Sequence, residues 1–138
     1  MIDLGMAGEA SYAVAINDRG QVLGSVQRAD GTRRAVVWTE GVREEIEPLP
    51  GGTMTWASGL NNRGQVVGSS VTVTNDRLVG SAFLWEDGAV VDLGTLPGGL
   101  LSLANAINSR GDITGYSYGA NDDNQYQQGV LWTLRNVE

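Results

Sequence analysis

The sequence predicts an all-β fold made of three repeats of four short strands, and three observations predict it. A segment with Asn17, Arg19 and Gly20 returns with Asn61, Arg63 and Gly64 and again with Asn108, Arg110 and Gly111, each time preceded by Ile or Leu and followed by a short run ending at Gly24, Gly68 or Gly115. A second segment keeps step with it: Ala35-Val36-Val37-Trp38, Ala82-Phe83-Leu84-Trp85 and Gly129-Val130-Leu131-Trp132. Spacings of 44 and 47 residues for the first motif, and of 47 twice for the second, set a repeat unit of about 46 residues. The third observation is composition. Twenty glycines against three prolines, with one Phe and 18% charged residues, suit a turn-rich β protein better than a helical one.

Each element follows from local chemistry. In the first unit, residues 12–16 are apolar and β-prone, Asn17-Asp18-Arg19-Gly20 supplies a turn, and residues 21–26 run on as the second strand. Asn followed three residues later by Gly suits a type I turn closed by a left-handed residue, which Gly adopts without a Cβ clash. Asn17, Asn61, Asn108, Gly20, Gly64 and Gly111 are therefore read first as turn formers. The third strand is the segment ending in Trp38, Trp85 or Trp132. A fourth follows a turn at Gly41 or Gly88, as in residues 89–94. A Leu-Pro-Gly-Gly connection, residues 49–52 and 96–99, then opens the next unit; the first unit has only Met6-Ala7-Gly8 there. The repeats span approximately 3–47, 48–94 and 95–138, within a single domain over 1–138.

The apolar pattern places these strands. Val36 and Trp38 share one face and Ala35 and Val37 the other, as do Phe83 and Trp85 against Ala82 and Leu84. A strand apolar on both faces is covered on both faces. Four-stranded sheets stacked around an axis give that environment, which is the β-propeller plan. Three blades are too few for an ordinary propeller, so completion to six blades by homodimerisation is expected. Asp3-Leu4-Gly5 matches Asp92-Leu93-Gly94, so the chain begins with the strand that its last blade lacks; residues 2–5 of one chain are expected to complete the 129–138 blade of the other. The rival is a monomeric β-trefoil-like three-fold fold. The equivalent tryptophans are expected to pack rather than to line a ligand site. Trp56 differs, falling where the other units have Tyr12 and Leu103.

Composition limits the chemistry. A net charge of −7 and a pI near 4.4 disfavour non-specific binding to nucleic acid or anionic membrane. With no Cys, His or Lys the chain has no thiol, no imidazole and no amine side chain for catalysis or metal binding. No apolar run reaches the length of a membrane helix, and the N-terminus lacks the basic and apolar parts of a signal peptide. No nucleophile elbow, phosphate loop or dinucleotide fingerprint is present. No cofactor and no metal are expected.

The residues also carry a resemblance. Asp92-Leu93-Gly94-Thr95-Leu96-Pro97-Gly98-Gly99, the spacing of Ala104, Ile107, Asn108 and Gly111, and Ala82-Phe83-Leu84-Trp85 closely resemble the HAF repeat of bacterial extracellular repeat proteins, a propeller-blade-like sequence. The resemblance spans essentially the whole chain in three copies. It departs at Gly129-Val130 in the third copy and at Glu45-Ile46-Glu47-Pro48 in the second. It implies an extracellular bacterial setting and no particular activity.

Candidate site residues lie where the copies differ. The stretch from second to third strand is basic over residues 27–34, Thr/Val-rich over 70–81 and rich in Tyr, Asn, Asp and Gln over 117–128, and variable loops are where binding usually sits. Trp56, Tyr116, Tyr118, Asn121, Asp122, Asp123 and Tyr126 offer aromatic faces beside amide and carboxylate groups, suited to a glycan or polar peptide; a solvated loop rich in turn formers is the plainer reading. The four Asx residues 121–124 match no EF-hand spacing. Arg19, Arg63 and Arg110 form a possible anion-binding rim at the opposite end, or are simply tolerated at exposed turns. Two function classes follow: a binding or interaction module engaging glycan, peptide or protein through its variable loops, or a small bacterial biosynthetic enzyme of cyclase or isomerase type with an apolar central pocket.

Overall fold

The computed structural model describes residues 1–5, 9–118 and 127–133. Among them, eleven strands form three antiparallel sheets and there is no helix. The first sheet comprises β1 (Ala10–Ile16), β2 (Val22–Gln27), β3 (Arg33–Thr39) and β4 (Val42–Glu45). The second comprises β5 (Met54–Leu60), β6 (Val66–Thr74), β7 (Arg77–Glu86) and β8 (Ala89–Gly94). The third comprises β9 (Ser102–Ile107), β10 (Ile113–Tyr118) and β11 (Gln127–Trp132). Every sheet is a meander with its strands in chain order, the all-β, thrice-repeated arrangement that the sequence predicts.

The two repeated motifs meet in register. Val22 pairs with Trp38, Val66 with Trp85 and Ile113 with Trp132. The hairpins after β3 and β7 turn on Glu40-Gly41 and Asp87-Gly88, and the one after β6 on Asn75-Asp76, with positive φ at both central residues of each; that geometry matches the right-handed twist of the flanking strands.

Alternation along the strands then packs the sheets face to face. Leu23, Ala35, Val37 and Ile46 of the first repeat meet Val66, Phe83 and Trp85 of the second sheet. On the other side of that sheet, Val67, Ala82 and Leu84 meet Ala104 and Ile113, with Leu93, Ile107 and Trp132 around them. Adjacent residues of one strand, Val66 and Val67 or Leu84 and Trp85, thus enter different cores, so the second sheet is covered on both faces. Each fully buried Val, Leu or Phe contributes roughly 1.5–3 kcal/mol.

The outer sheets end differently. On the first, Val26, Val36 and Trp38 form a smaller cluster with Val22, and Leu4 packs against it. On the third, the position equivalent to Val37 (2% exposed) and Leu84 (5%) is Leu131, which is 62% exposed. Among the described residues, nothing covers the third sheet as the third covers the second.

Candidate functional site

The sheets are sewn together at one end by the repeated asparagines. Asn17, Asn61 and Asn108 each close their own turn: the side-chain oxygen accepts the main-chain N–H two residues on, from Arg19, Arg63 or Arg110 at 3.0–3.1 Å, and four residues on, from Gln21, Gln65 or Asp112 at 2.9 Å. The side-chain nitrogen does something the sequence does not announce. Asn17 Nδ2 donates to the Asn61 carbonyl, and Asn61 Nδ2 to the Asn108 carbonyl, both at 3.0 Å. Its other N–H is held by Gln21 Oε1 at 2.9 Å or Gln65 Oε1 at 2.8 Å. Asn17 and Asn61 are buried, so these bonds satisfy groups that would otherwise cost several kcal/mol to desolvate.

The turn glycines fit the same packing. Gly64 and Gly111 have φ of 80° and 88°. A Cβ on Gly64 would lie 3.2 Å from both Arg19 Nη1 and Gln21 Oε1, and one on Gly111 3.2 Å from Gln65 Oε1 and 3.9 Å from Arg63 Nη1. Arg19 and Arg63 thus reach toward the next repeat's turn, whereas Arg110 Nε lies 3.9 Å from Asp112 Oδ2. All three are exposed.

A second set of bridges runs deeper. Thr55 donates its hydroxyl to the Ile46 carbonyl at 3.0 Å and accepts the Ala35 N–H at 2.8 Å; Ser102 donates to the Gly94 carbonyl at 2.6 Å and accepts the Ala82 N–H at 2.9 Å. Each hydroxyl belongs to the first strand of one sheet and joins the third strand of the preceding sheet to the last residue of its fourth strand, Gly94, or to the residue just after it, Ile46. The matching residue of the first sheet is Ser11, whose hydroxyl lies 2.7 Å from where a Cβ on Gly5 would stand.

The opposite end carries the connections from β2 to β3, β6 to β7 and β10 to β11, together with the Leu-Pro-Gly-Gly segments. Those segments are held firmly. Gly52 N–H donates to the Leu49 carbonyl and Gly99 N–H to that of Leu96, while Leu49 and Leu96 donate their N–H groups to Ser70 and Ser117 Oγ at 2.9 Å. Between them the connections differ. The first gathers Arg28, Arg33 and Arg34: Arg33 donates to Tyr12 Oη at 3.2 Å and stacks 5.9 Å from its ring centre, Arg34 donates to the Thr53 carbonyl at 2.6 Å, and Arg28 pairs with Glu45. In the same turn the Thr32 hydroxyl and N–H hold the Asp30 carboxyl below its ordinary value. The second connection is a long hairpin whose base opens on a groove of about 200 Å³ lined by Pro50, Gly52, Thr72, Ser81 and Asp92; there Ser81 donates to Asp92 at 2.7 Å. At the third, Tyr116 and Tyr118 meet edge to face with ring centres 6.2 Å apart, and Tyr118 donates to Gln127 at 3.3 Å.

Of the residues singled out from the sequence, Tyr116 and Tyr118 lie together on β10, and Trp56 is half-buried on β5, paired with Ser69. Asn121, Asp122, Asp123 and Tyr126 lie outside the described residues, as does Asn124. Trp38 and Trp85 are buried in the cores, and Trp132 is half-buried with its indole N–H on the Leu93 carbonyl at 2.9 Å. The Tyr12–Arg33 pair was not singled out, although the basic composition of residues 27–34 was its visible signal. Among the described residues, no group of three His, Cys, Asp or Glu could hold a metal ion, and no helix is long and apolar enough to cross a membrane. No protein-family model, curated protein or solved structure matches the chain.

Proposed function

We propose that the three sheets are consecutive blades of a propeller and that the protein is a binding module, engaging a glycan or a polar peptide through the end that carries its variable connections. One contrast carries this reading. The repeated polar side chains, Asn17, Asn61, Thr55 and Ser102, are consumed in bonds between sheets, whereas the opposite end presents different chemistry in each repeat beside Leu-Pro-Gly-Gly segments pinned by Ser70 and Ser117. Tyr12, Tyr116 and Tyr118 supply flat faces there, and Arg33 and Asp92 supply hydrogen-bonding groups, the mixture that polar ligands with apolar faces require. The HAF resemblance adds an extracellular bacterial setting to this proposal.

A screen of immobilised glycans and peptides against native protein, Tyr116→Ala/Tyr118→Ala and Arg33→Ala tests it. Binding by the native chain that either variant lowers at least tenfold, with an unchanged melting curve, is the expected result. Binding lost instead in Arg19→Ala or Arg63→Ala would move the site to the asparagine end.

One observation favours the enzyme reading. Asp112 is buried and lines a groove of about 250 Å³ with Ala106, Ile107, Thr114 and Leu131, a carboxylate beside apolar walls. Its place in the repeat is that of Gln21 and Gln65, and like them it accepts from its own turn asparagine, at 3.2 Å. A role in closing the turn accounts for it, and Asp112→Gln leaves ligand binding intact if that is its whole role.

A further inference from the structure

We infer that the groove at the base of the β6–β7 hairpin holds a single neutral sugar ring, gripped through adjacent ring hydroxyls by the carboxylate of Asp92. The inference rests on the binding reading of this end and names its ligand chemistry.

The groove follows from a difference between two copies of the repeat. Val26 pairs with Arg34 and Gln27 with Arg33 as Ser70 pairs with Ser81 and Val71 with Gly80, so Arg28, Arg33 and Arg34 of the first sheet stand where the second has Thr72, Gly80 and Ser81. Glu45 and Asp92 are equivalent in the same way, opposite Val36 and Phe83. In the first sheet the carboxylate is consumed, because Arg28 and Arg43 both form ion pairs with Glu45. In the second the arginines are replaced by small residues. What remains is a groove of about 200 Å³ beside a carboxylate that no ion pair reaches among the described residues.

The polar groups are positioned before any ligand arrives. Asp92 Oδ1 accepts the Ser81 hydroxyl at 2.7 Å and the Gly94 N–H at 2.8 Å, which fixes the carboxylate and leaves Oδ2 to accept from a ligand. Ser81, its proton committed to Asp92, offers oxygen lone pairs. Thr72 accepts the Thr53 hydroxyl at 3.0 Å and so keeps its own proton for an acceptor. The facing segment is fixed too, with Leu49 N–H on Ser70 Oγ and Gly52 N–H on the Leu49 carbonyl. Pro50 and Val79 add apolar wall.

These features select the ligand. Acceptors and a donor close together suit hydroxyl groups, which both donate and accept, better than an ammonium group, which only donates. Apolar wall beside them suits the C–H face of a pyranose. The volume lies below the roughly 300–1,000 Å³ of sites for drug-sized ligands, so one ring enters and the rest of a glycan stays outside. No cationic side chain lines the groove among the described residues, and Asp92 repels an acidic sugar, which favours neutral ones.

Amide NMR of the full chain tests the assignment, with separate titrations of the methyl glycosides of glucose, galactose, mannose and glucuronic acid, of choline and of triserine. At least one neutral glycoside should shift the amides of Gly51, Gly52, Gly80 and Ser81 with millimolar affinity, and the glucuronic acid glycoside should bind at least tenfold more weakly. Asp92→Asn should weaken the neutral glycoside at least tenfold; Ser81→Arg, which copies Arg34 of the first sheet, should abolish its binding, both with the remaining amide spectrum unchanged. No shift of those amides by any neutral glycoside, shifts from choline or triserine alone, equal affinity for the acidic glycoside, or unchanged affinity in either variant would each overturn the inference. Binding in the immobilised screen that Tyr116→Ala/Tyr118→Ala lowers, with no glycoside in the groove, overturns this inference and leaves the binding reading standing. A glycoside in the groove of a chain whose screen binding is lowered by neither the tyrosine variant nor Arg33→Ala removes those side chains from the reading and leaves the groove.

Discussion

The Asn61 side-chain nitrogen donates to the Asn108 carbonyl 3.0 Å away, across 47 residues of chain. One side chain therefore closes a turn with its oxygen and joins two sheets with its nitrogen, and the two duties are separable by mutation.

Asn61→Asp keeps the oxygen and removes the nitrogen, leaving a buried carboxylate against the Gln65 oxygen and the Asn108 carbonyl. The loss of two donors and the burial of charge should cost about 3 kcal/mol or more. Ser109→Ala, at an exposed position of the third turn, should cost under about 0.5 kcal/mol. Chemical denaturation of the two variants side by side checks the contrast; equal stabilities would mean that the inter-sheet bond contributes nothing.

Thr55→Val replaces a hydroxyl by a methyl of similar size and strands the Ala35 N–H and the Ile46 carbonyl, which Thr55 bridges. About 2–3 kcal/mol should be lost. Ser102→Ala should behave alike at the other interface, and a double variant should be close to additive, since the two bridges share no partner.

Trp85→Ala should destabilise by about 3–5 kcal/mol, the range for a large aromatic removed from a core. Gly68→Ala should also be damaging, because the added Cβ would lie 2.0 Å from the Trp56 carbonyl oxygen and 2.9 Å from Phe83 Cζ. Gly129→Ala, with open space around it, measures the background by thermal melting. If Trp85→Ala melted like the native chain, the packing role of the tryptophans would be wrong.

Asp30 should titrate below its ordinary value of 3.8 because the Thr32 hydroxyl and N–H favour its ionised form. The sign follows: the bonds help order this turn above the ordinary value, and that help fades as pH falls through the lowered one. Carboxyl-detected NMR titration should show the midpoint rise toward 3.8 in Thr32→Val. An unchanged midpoint would remove the hydroxyl as its cause.

Much of the fold was legible because it is repetitive. Val66 and Val67, or Leu84 and Trp85, are apolar neighbours that must point to opposite faces of a strand, so burial of the second sheet on both sides could be read directly from residue order. The hairpins after β3 and β7 were legible at Gly41 and Gly88, where the backbone needs positive φ. The candidate site was legible only in outline. Variable composition over 27–34 and 117–128 marked the loop-bearing end, but the pairing of Tyr12 with Arg33 joins residues from β1 and β3 that only the sheet register brings together.

By itself, then, the sequence determined the repeat length, the strand order within each sheet, the turns and which residues are apolar on both faces, since all of these depend on neighbours within a few positions. The tertiary structure decided what the repeated polar residues do. Asn17 and Asn61 look like turn formers in sequence and are also inter-sheet donors, and Thr55 and Ser102 look like ordinary strand residues yet bridge the backbone of the preceding sheet. A hydrogen bond needs its acceptor within about 3 Å, and which carbonyl lies that close is set by how the sheets stack, not by the spacing of letters along the chain.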